Sequence, residues 1–284
     1  MDNNFAALIA SHQAGLTKLE RRIATYLLAH PTALVVDTSG AIAEHAHVSP
    51  MTVTRFFKKI GFVNAAAAKD EVRRQMYGAE LNAIDTRFEE FRRSRGLLDQ
   101  DAHFKAAIAA TSKACEYRAE PIWQELVNLV ANADSVYATG FQTMGYLANG
   151  LVQRLSYVRA NAHEMDGTDG VYAKLFTDPA PKRTLIIIDT FRYGRNGPVL
   201  AKAARERGVD VMIFCDELCD WAAAITPYVV SLPSEQGFFF RPTTAIHFSL
   251  NLLIQDVIDA LGDKVRDQMK CLSDAQELFG QYMK

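Results

Sequence analysis

The chain has 284 residues, 49% apolar and 23% charged, with a formal net charge of −2 at pH 7. That balance belongs to a globular protein and excludes a disordered, collagenous or uniformly basic one. No apolar run reaches the roughly 18 residues of a membrane span, and the opening MDNNFAALIASHQ lacks a signal peptide's basic head and apolar core, so a cytoplasmic protein is expected.

In chain order, LTKLERRIATYLLAH places Leu16, Leu19, Ile23, Tyr26 and Leu27 at helical spacing, with Arg21 and Arg22 off that stripe. Pro31 ends the helix, because it pushes His30 out of helical geometry. In DTSGAIAEHAHV, Thr38 and Ser39 are candidate caps, and Ile42, Ala43 and Ala46 share a face. HVSPMTVTRFFKKIGF then offers Ser49 as a cap and Pro50 at the first helical position. Its inward stripe is Val53, Phe56, Phe57 and Ile60, closed by Gly61. Two short helices joined by three or four residues, the second well capped, predict a helix-turn-helix.

Charge along the chain points the same way. No acidic residue lies between Glu44 and Asp70, while Arg55, Lys58, Lys59 and Lys69 do. In a helix-turn-helix the second helix enters the major groove of double-stranded DNA. With its stripe turned toward Leu27, Ile42, Ala43 and Val48, the helix leaves Ser49, Met51, Thr52, Thr54, Arg55, Lys58 and Lys59 for that partner. Arg55 suits guanine, and Met51 and Thr52 suit a thymine methyl. Lys58 and Lys59, a turn later, suit phosphate. A solvated amphipathic helix with a cationic face is the alternative reading.

From 78 to 132 the pattern stays helical. TRFEEFRRSRG, with its four arginines and two glutamates, reads as a solvated or subunit-facing helix, and Gly96 as a separator. After Asp134 the pattern changes to strands alternating with helices: SVYATG, a helical run over about 143–155, the apolar TLIIIDT, GPVLAKAARERG, VDVMIFCD, a short helix in LCDWAAAI, YVVSLP, and a closing helix over about 243–261. This predicts an all-α N-terminal domain followed by an α/β domain with a doubly wound parallel sheet. The boundaries fall at 1–77 for the helix-turn-helix domain, 78–132 for a helical connector and 133–284 for the α/β domain.

In such sheets ligands bind past the carboxyl ends of the strands, where strand order reverses. Here that selects TGFQTMG and DTFRYGRNG. Gly140, Phe141, Gln142 and Thr143 run into a helix N-terminus, whose amides and dipole favour an anion. In the second loop Arg192 and Arg195 suit a phosphate or carboxylate, with Thr190, Gly194 and Asn196 beside them. Thr143 also reads as a helix cap, the arginines as surface or subunit contacts, and Asn196-Gly197 as turn chemistry. There is no G-x-G-x-x-G with a following ribose acid, so no dinucleotide cofactor is expected. His163 and His247 read as core or interface residues. No acid–base pair stands out, so catalysis is not expected. The four cysteines, Cys115, Cys215, Cys219 and Cys271, show no disulfide-framework spacing, and Cys215 and Cys219, with no second pair of ligands, are expected as buried free thiols rather than a metal site.

LTKLERRIATYLLAHP and DTSGAIAEHAHVSPMTVTRFFKKIGF together resemble the N-terminal helix-turn-helix domain of RpiR-type bacterial transcriptional regulators. The strongest match is VS-x-x-TV-x-RF-x-KK-x-GF, Val48 to Phe62, and the departure is His47, where that family usually has a glycine. Asp134 to about Leu261 resembles a sugar isomerase (SIS) domain. The resemblance implies a flavodoxin-like sheet that binds phosphosugars and dimerises. Thr143 stands where the family commonly has a phosphate-binding serine. The family's Ser-x-Ser-Gly-x-Thr loop is replaced here by Phe191-Arg192-Tyr193-Gly194-Arg195-Asn196. The expectation is a regulator that reads an inverted-repeat operator as a homodimer or homotetramer and responds to a small anionic metabolite, a phosphosugar or related compound. A constitutive DNA-binding dimer and a sugar-phosphate isomerase with an accessory domain are the alternatives.

Overall fold

A computed structural model describes residues 4–30, 33–77, 88–89, 91–92, 100–168, 172–190, 193–234 and 238–280. The chain divides into two units, Met1–Leu97 and Leu98–Lys284.

The first unit contains α1 (Asn4–His12), α2 (Lys18–Ala29), α3 (Ala33–Val36), α4 (Ser39–His45), α5 (Pro50–Lys59) and α6 (Ala65–Tyr77). Helix α2 starts at a capping box: Thr17 Oγ1 accepts from the Glu20 amide at 3.3 Å, and Glu20 Oε2 accepts from the Thr17 amide at 2.8 Å. Its buried face is Glu20, Ile23, Ala24 and Leu27. Leu19, assigned above to the apolar stripe, is instead 46% exposed. Leu16, Ile23 and Leu27 keep their buried places, and Glu20 is buried beside them. Ile9, Ile23, Leu34, Ile42, Val53, Phe56, Phe57 and Ile60 are almost wholly buried. Burial of each stabilises the unit by about 1.5–3 kcal/mol relative to exposure. Helix α3 has no counterpart in the sequence reading, and its Leu34 and Val35 join this core. Most of TRFEEFRRSRG, and Gly96, lie outside the described residues.

The second unit runs α7 (Gln100–Ala119), α8 (Pro121–Ala131), β1 (Ser135–Gly140), α9 (Gly145–Leu155), β2 (Ala162–Glu164), α10 (Ala173–Thr177), β3 (Arg183–Asp189), α11 (Asn196–Glu206), β4 (Asp210–Asp216), α12 (Ala222–Ile225), β5 (Val229–Leu232), α13 (Thr244–Leu261) and α14 (Lys264–Leu278). The strands form one parallel sheet in the order β2-β1-β3-β4-β5. Alternate residues of β3 serve opposite faces: Ile186 and Ile188 pack with α7, α8, α9 and α13, while Leu185 and Ile187 pack with α10 and α11. Burial on both faces explains why the strand reads as an unbroken apolar run.

Three boundaries differ from the sequence reading. The helices over 100–131, read as part of a connector, belong to the second unit. Ala110, Ala114, Trp123, Leu126 and Val130 sit in its core. Asp256 of α13 also accepts two hydrogen bonds from Arg118 of α7, at 2.6 and 2.9 Å, and one from Trp123 Nε1 at 2.7 Å. The helix ending at Leu261 is not the last, since α14 follows it. The strand β2 and helix α10 have no counterpart in the sequence reading, being only three and five residues long.

Candidate functional site

In the first unit the site is the turn between α4 and α5 and the surface of α5. Helix α4 ends with the Val48 amide donating to Ala43 O at 2.8 Å and the His47 amide donating to Glu44 O at 2.9 Å. This is a Schellman motif, which needs a left-handed residue after the cap. His47 occupies that position at φ 50°, the left-handed backbone expected where the resembled family has glycine. Helix α5 closes by the same device: Phe62 donates to Phe57 O at 2.9 Å, Gly61 donates to Lys58 O at 3.2 Å, and Gly61 has φ 100°. At its start Ser49 Oγ accepts from the Thr52 amide at 3.2 Å. Both ends of α5 are thus satisfied within the unit, and its outer face is free for other work.

The expected contact residues divide into groups. Met51, Arg55 and Lys58 are exposed. Ser49 Oγ lies 2.9 Å from Thr52 Oγ1, and Thr54 Oγ1 donates to Pro50 O at 3.2 Å, so these three hydroxyls already have local bonds. Lys59 differs most from expectation: its Nζ donates to Glu20 Oε2 at 2.8 Å. Burial pushes the Glu20 carboxyl up, but the hydrogen bonds from Lys59 and Thr17 outweigh it and hold the group below the usual carboxylate range. The T-x-x-E spacing of a capping box was the sequence signal for Glu20.

In the second unit the chain reverses its strand order between β1 and β3, which puts the switch point at the loops after Gly140 and Asp189. Gly140 is required by space: a Cβ there would lie 2.2 Å from the Met144 carbonyl oxygen. Gln142 follows at φ 53° and Thr143 is exposed, both in a 3₁₀ turn ahead of α9. Thr143 therefore does not cap that helix. Phe141, 8% exposed, turns across the crevice; a Cβ on Gly194 would meet its ring at 2.8 Å. The ring occupies the space between the two loops.

Across the crevice Asp189 and Asp216 end β3 and β4, each 1% exposed. Asp189 accepts from the Gly194 amide at 3.1 Å, and Asp216 accepts from the Tyr193 hydroxyl and, at 3.1 Å, from the Leu218 amide. Burial, aided by the charge of Asp216, pushes Asp189 up to about 8. Arg195 is exposed at the start of α11, and Asn196 interacts with the Tyr172 hydroxyl. Arg192 lies outside the described residues. The indole Nε1 of Trp221 is buried without a hydrogen-bond partner among the described residues, its ring 3.3 Å from where a Gly197 Cβ would stand.

One step along the same edge, a tight cleft with about 10 Å3 of free space lies over β3, β4 and β5, lined by Thr190, Asp216, Ser234, Arg241, Thr243 and Ile246 among others. Arg241 Nη1 donates to Ser234 Oγ at 3.1 Å, and the Ser234 amide donates to Glu217 Oε2 at 2.6 Å. Burial pushes Glu217 up to about 7. Of the expected ligand residues that are described, only Thr190 reaches this cleft. Sequence reasoning missed Arg241; its place just before a long helix, in RPTT, was the available signal. Elsewhere, His163 is half-buried with Nδ1 3.0 Å from Lys174 Nζ, and His247 is exposed. Cys215 and Cys219 are buried free thiols as expected, while Cys115 and Cys271 are exposed. Among the described residues no helix is long and apolar enough to cross a membrane.

Residues 3–63 match the helix-turn-helix domain of the rpiR family. No curated protein matches the chain. Among solved structures, the sugar isomerase domain of an RpiR transcription factor from Sphaerobacter thermophilus is 18% identical with a TM-score of 0.55, covering 60% of this chain and 96% of that one. The NanR protein of Vibrio vulnificus, solved with ManNAc-6P, is 12% identical with a TM-score of 0.59, covering 96% of this chain and 98% of that one. At such identities the likeness concerns the fold. Residues 3–63 thus form a helix-turn-helix domain of the rpiR family, and the second unit has the fold of a sugar isomerase (SIS) domain.

Proposed function

We propose that this protein is a cytoplasmic transcription regulator that binds an inverted-repeat operator as a homodimer or homotetramer and responds to a small anionic metabolite, a phosphosugar or a related compound. The observation that carries the DNA half is α5: internally closed at both ends, with exposed Arg55 and Lys58 in a stretch free of acidic residues. Arg55 suits guanine, Lys58 suits phosphate, and the exposed Met51 suits a thymine methyl.

For the metabolite half, support comes from the carboxyl edge of the sheet. Arg241 supplies a cation, and Thr190, Ser234 and Thr243 supply hydroxyls around one cleft. The hydroxyl-rich phosphate loop of the resembled family is absent at the switch point, and Arg241 supplies a cation one step along the same edge. A metabolite switches the protein only through unequal affinity for two arrangements of the DNA-binding units; coupling of about 1–3 kcal/mol changes operator affinity roughly 5–150-fold.

Selection of bound fragments from the source genome tests the DNA half, and the genes beside the sites supply metabolites to try. Thermal shift with those compounds then tests the sensor, because specific binding raises the melting temperature with concentration. Arg241→Ala is expected to abolish the shift. A sensor binds without conversion, so turnover of a phosphosugar would instead support an isomerase. A second reading has its own observation: Phe141 fills the switch-point crevice, as suits a constitutive DNA-binding dimer. A broad panel of anionic metabolites with no thermal response favours that reading.

A further inference from the structure

Resting on the DNA-binding reading, we infer that Lys59 is a positioning residue rather than a DNA contact, and that Glu20 is the group that withholds its charge from the phosphate backbone. Lys59 is the last residue of α5, and its ammonium lies 2.8 Å from Glu20 Oε2. That carboxylate, only 7% exposed, also accepts the Thr17 amide that opens α2. One carboxylate therefore joins the start of α2 to the end of α5 and fixes the angle at which α5 leaves the bundle.

The energetics favour the pair staying intact on DNA. Moving Lys59 to a phosphate would leave a buried carboxylate without its cation, which costs more than one exposed phosphate contact returns. Lys58 has no such tie: it is exposed, with no carboxylate at ion-pair distance among the described residues. The two adjacent lysines are thus unequal, one counted by DNA and one not.

The salt dependence of binding counts the cations that engage phosphate. Full-length protein is titrated by fluorescence anisotropy against a random-sequence duplex over a range of potassium chloride. Lys58→Gln is expected to flatten the slope of log K against log salt by about one unit. Lys59→Gln is expected to weaken binding yet keep the parent slope. Glu20→Gln keeps the capping box, since glutamine serves at that position, and frees Lys59. Its slope is expected to steepen by about one unit, with tighter binding at low salt. The double variant Glu20→Gln/Lys59→Gln has no unpaired buried charge and is expected to return to the parent slope, which guards against misfolding of Lys59→Gln. A Lys59→Gln slope flattened by about one unit, or a Glu20→Gln slope equal to the parent's, overturns the inference. If the parent responds to Lys58 and not to Glu20, only this inference is overturned. If the parent retains no duplex, the DNA-binding reading is overturned with it.

Discussion

On α5 the side chains offered to a partner stand in water, whereas at the carboxyl edge of the sheet the polar groups are bonded to one another. Arg55 and Lys58 are exposed above a helix whose cap, stop and apolar face are all satisfied inside the unit. Asp189, Tyr193, Gly194 and Asp216 form an internal set beneath the Phe141 ring. The difference sets how each surface can work. The first can dock on a rigid duplex with little rearrangement, because no internal bond has to break. At the second, a ligand entering the switch point must displace a ring and replace hydrogen bonds to buried carboxylates, each of which costs about 1–3 kcal/mol if left unmade. Binding there is necessarily coupled to loop movement.

The largest expected effect breaks the sheet side of this contrast. The Asp189 carboxyl releases its proton near pH 4 when unfolded and near 8 when folded, so the folded state holds more protons across that window. Its favourable contribution is complete below about pH 4 and gone above about 8, and stability falls as pH rises between them, by about 1.4 kcal/mol per unit at the steepest. Asp189→Asn is expected to flatten this dependence and to raise the melting temperature most at the alkaline end. Melting curves of parent and variant from pH 5 to 9 that stay parallel throughout would show that Asp189 is ionised in the fold.

Next in size is the test of the exposed side. Arg55→Ala is expected to cost about 1–3 kcal/mol of discrimination at a single base pair. Selected-site sequencing with the variant should relax one column of the motif and leave its neighbours sharp. A uniform loss across the motif would assign Arg55 to phosphate, and no loss would move the reading face elsewhere on α5.

The same contrast explains what could be read from sequence. The bundle was legible because its signals are local. Caps at Thr38 and Ser49, the stop at Gly61 and the stripe Val53, Phe56, Phe57 and Ile60 each act within one helix. The core strands were legible because burial on both faces writes itself as an apolar run. What failed was non-local. Leu19 is exposed and Glu20 is buried, with a partner 39 residues away, at Lys59. The helices over 100–131 were assigned to a connector because their contact, Asp256, lies far along the chain. The cleft at Arg241 is assembled from the ends of three strands, and no single stretch of sequence contains it.

The smallest prediction concerns the turn that joins the two helices of the motif. His47 holds φ 50° with its amide and that of Val48 completing the end of α4. A side chain in the left-handed region costs about 1–2 kcal/mol, while glycine returns about 0.5–1 kcal/mol of that through its greater unfolded-state freedom. The net gain expected for His47→Gly is therefore about 0.5–1 kcal/mol, seen as a higher urea midpoint for loss of helix in the first unit. A lower midpoint would mean that the imidazole supplies more through its contacts than the backbone strain removes, and the glycine usual in the resembled family would then be a different solution to this turn rather than a better one.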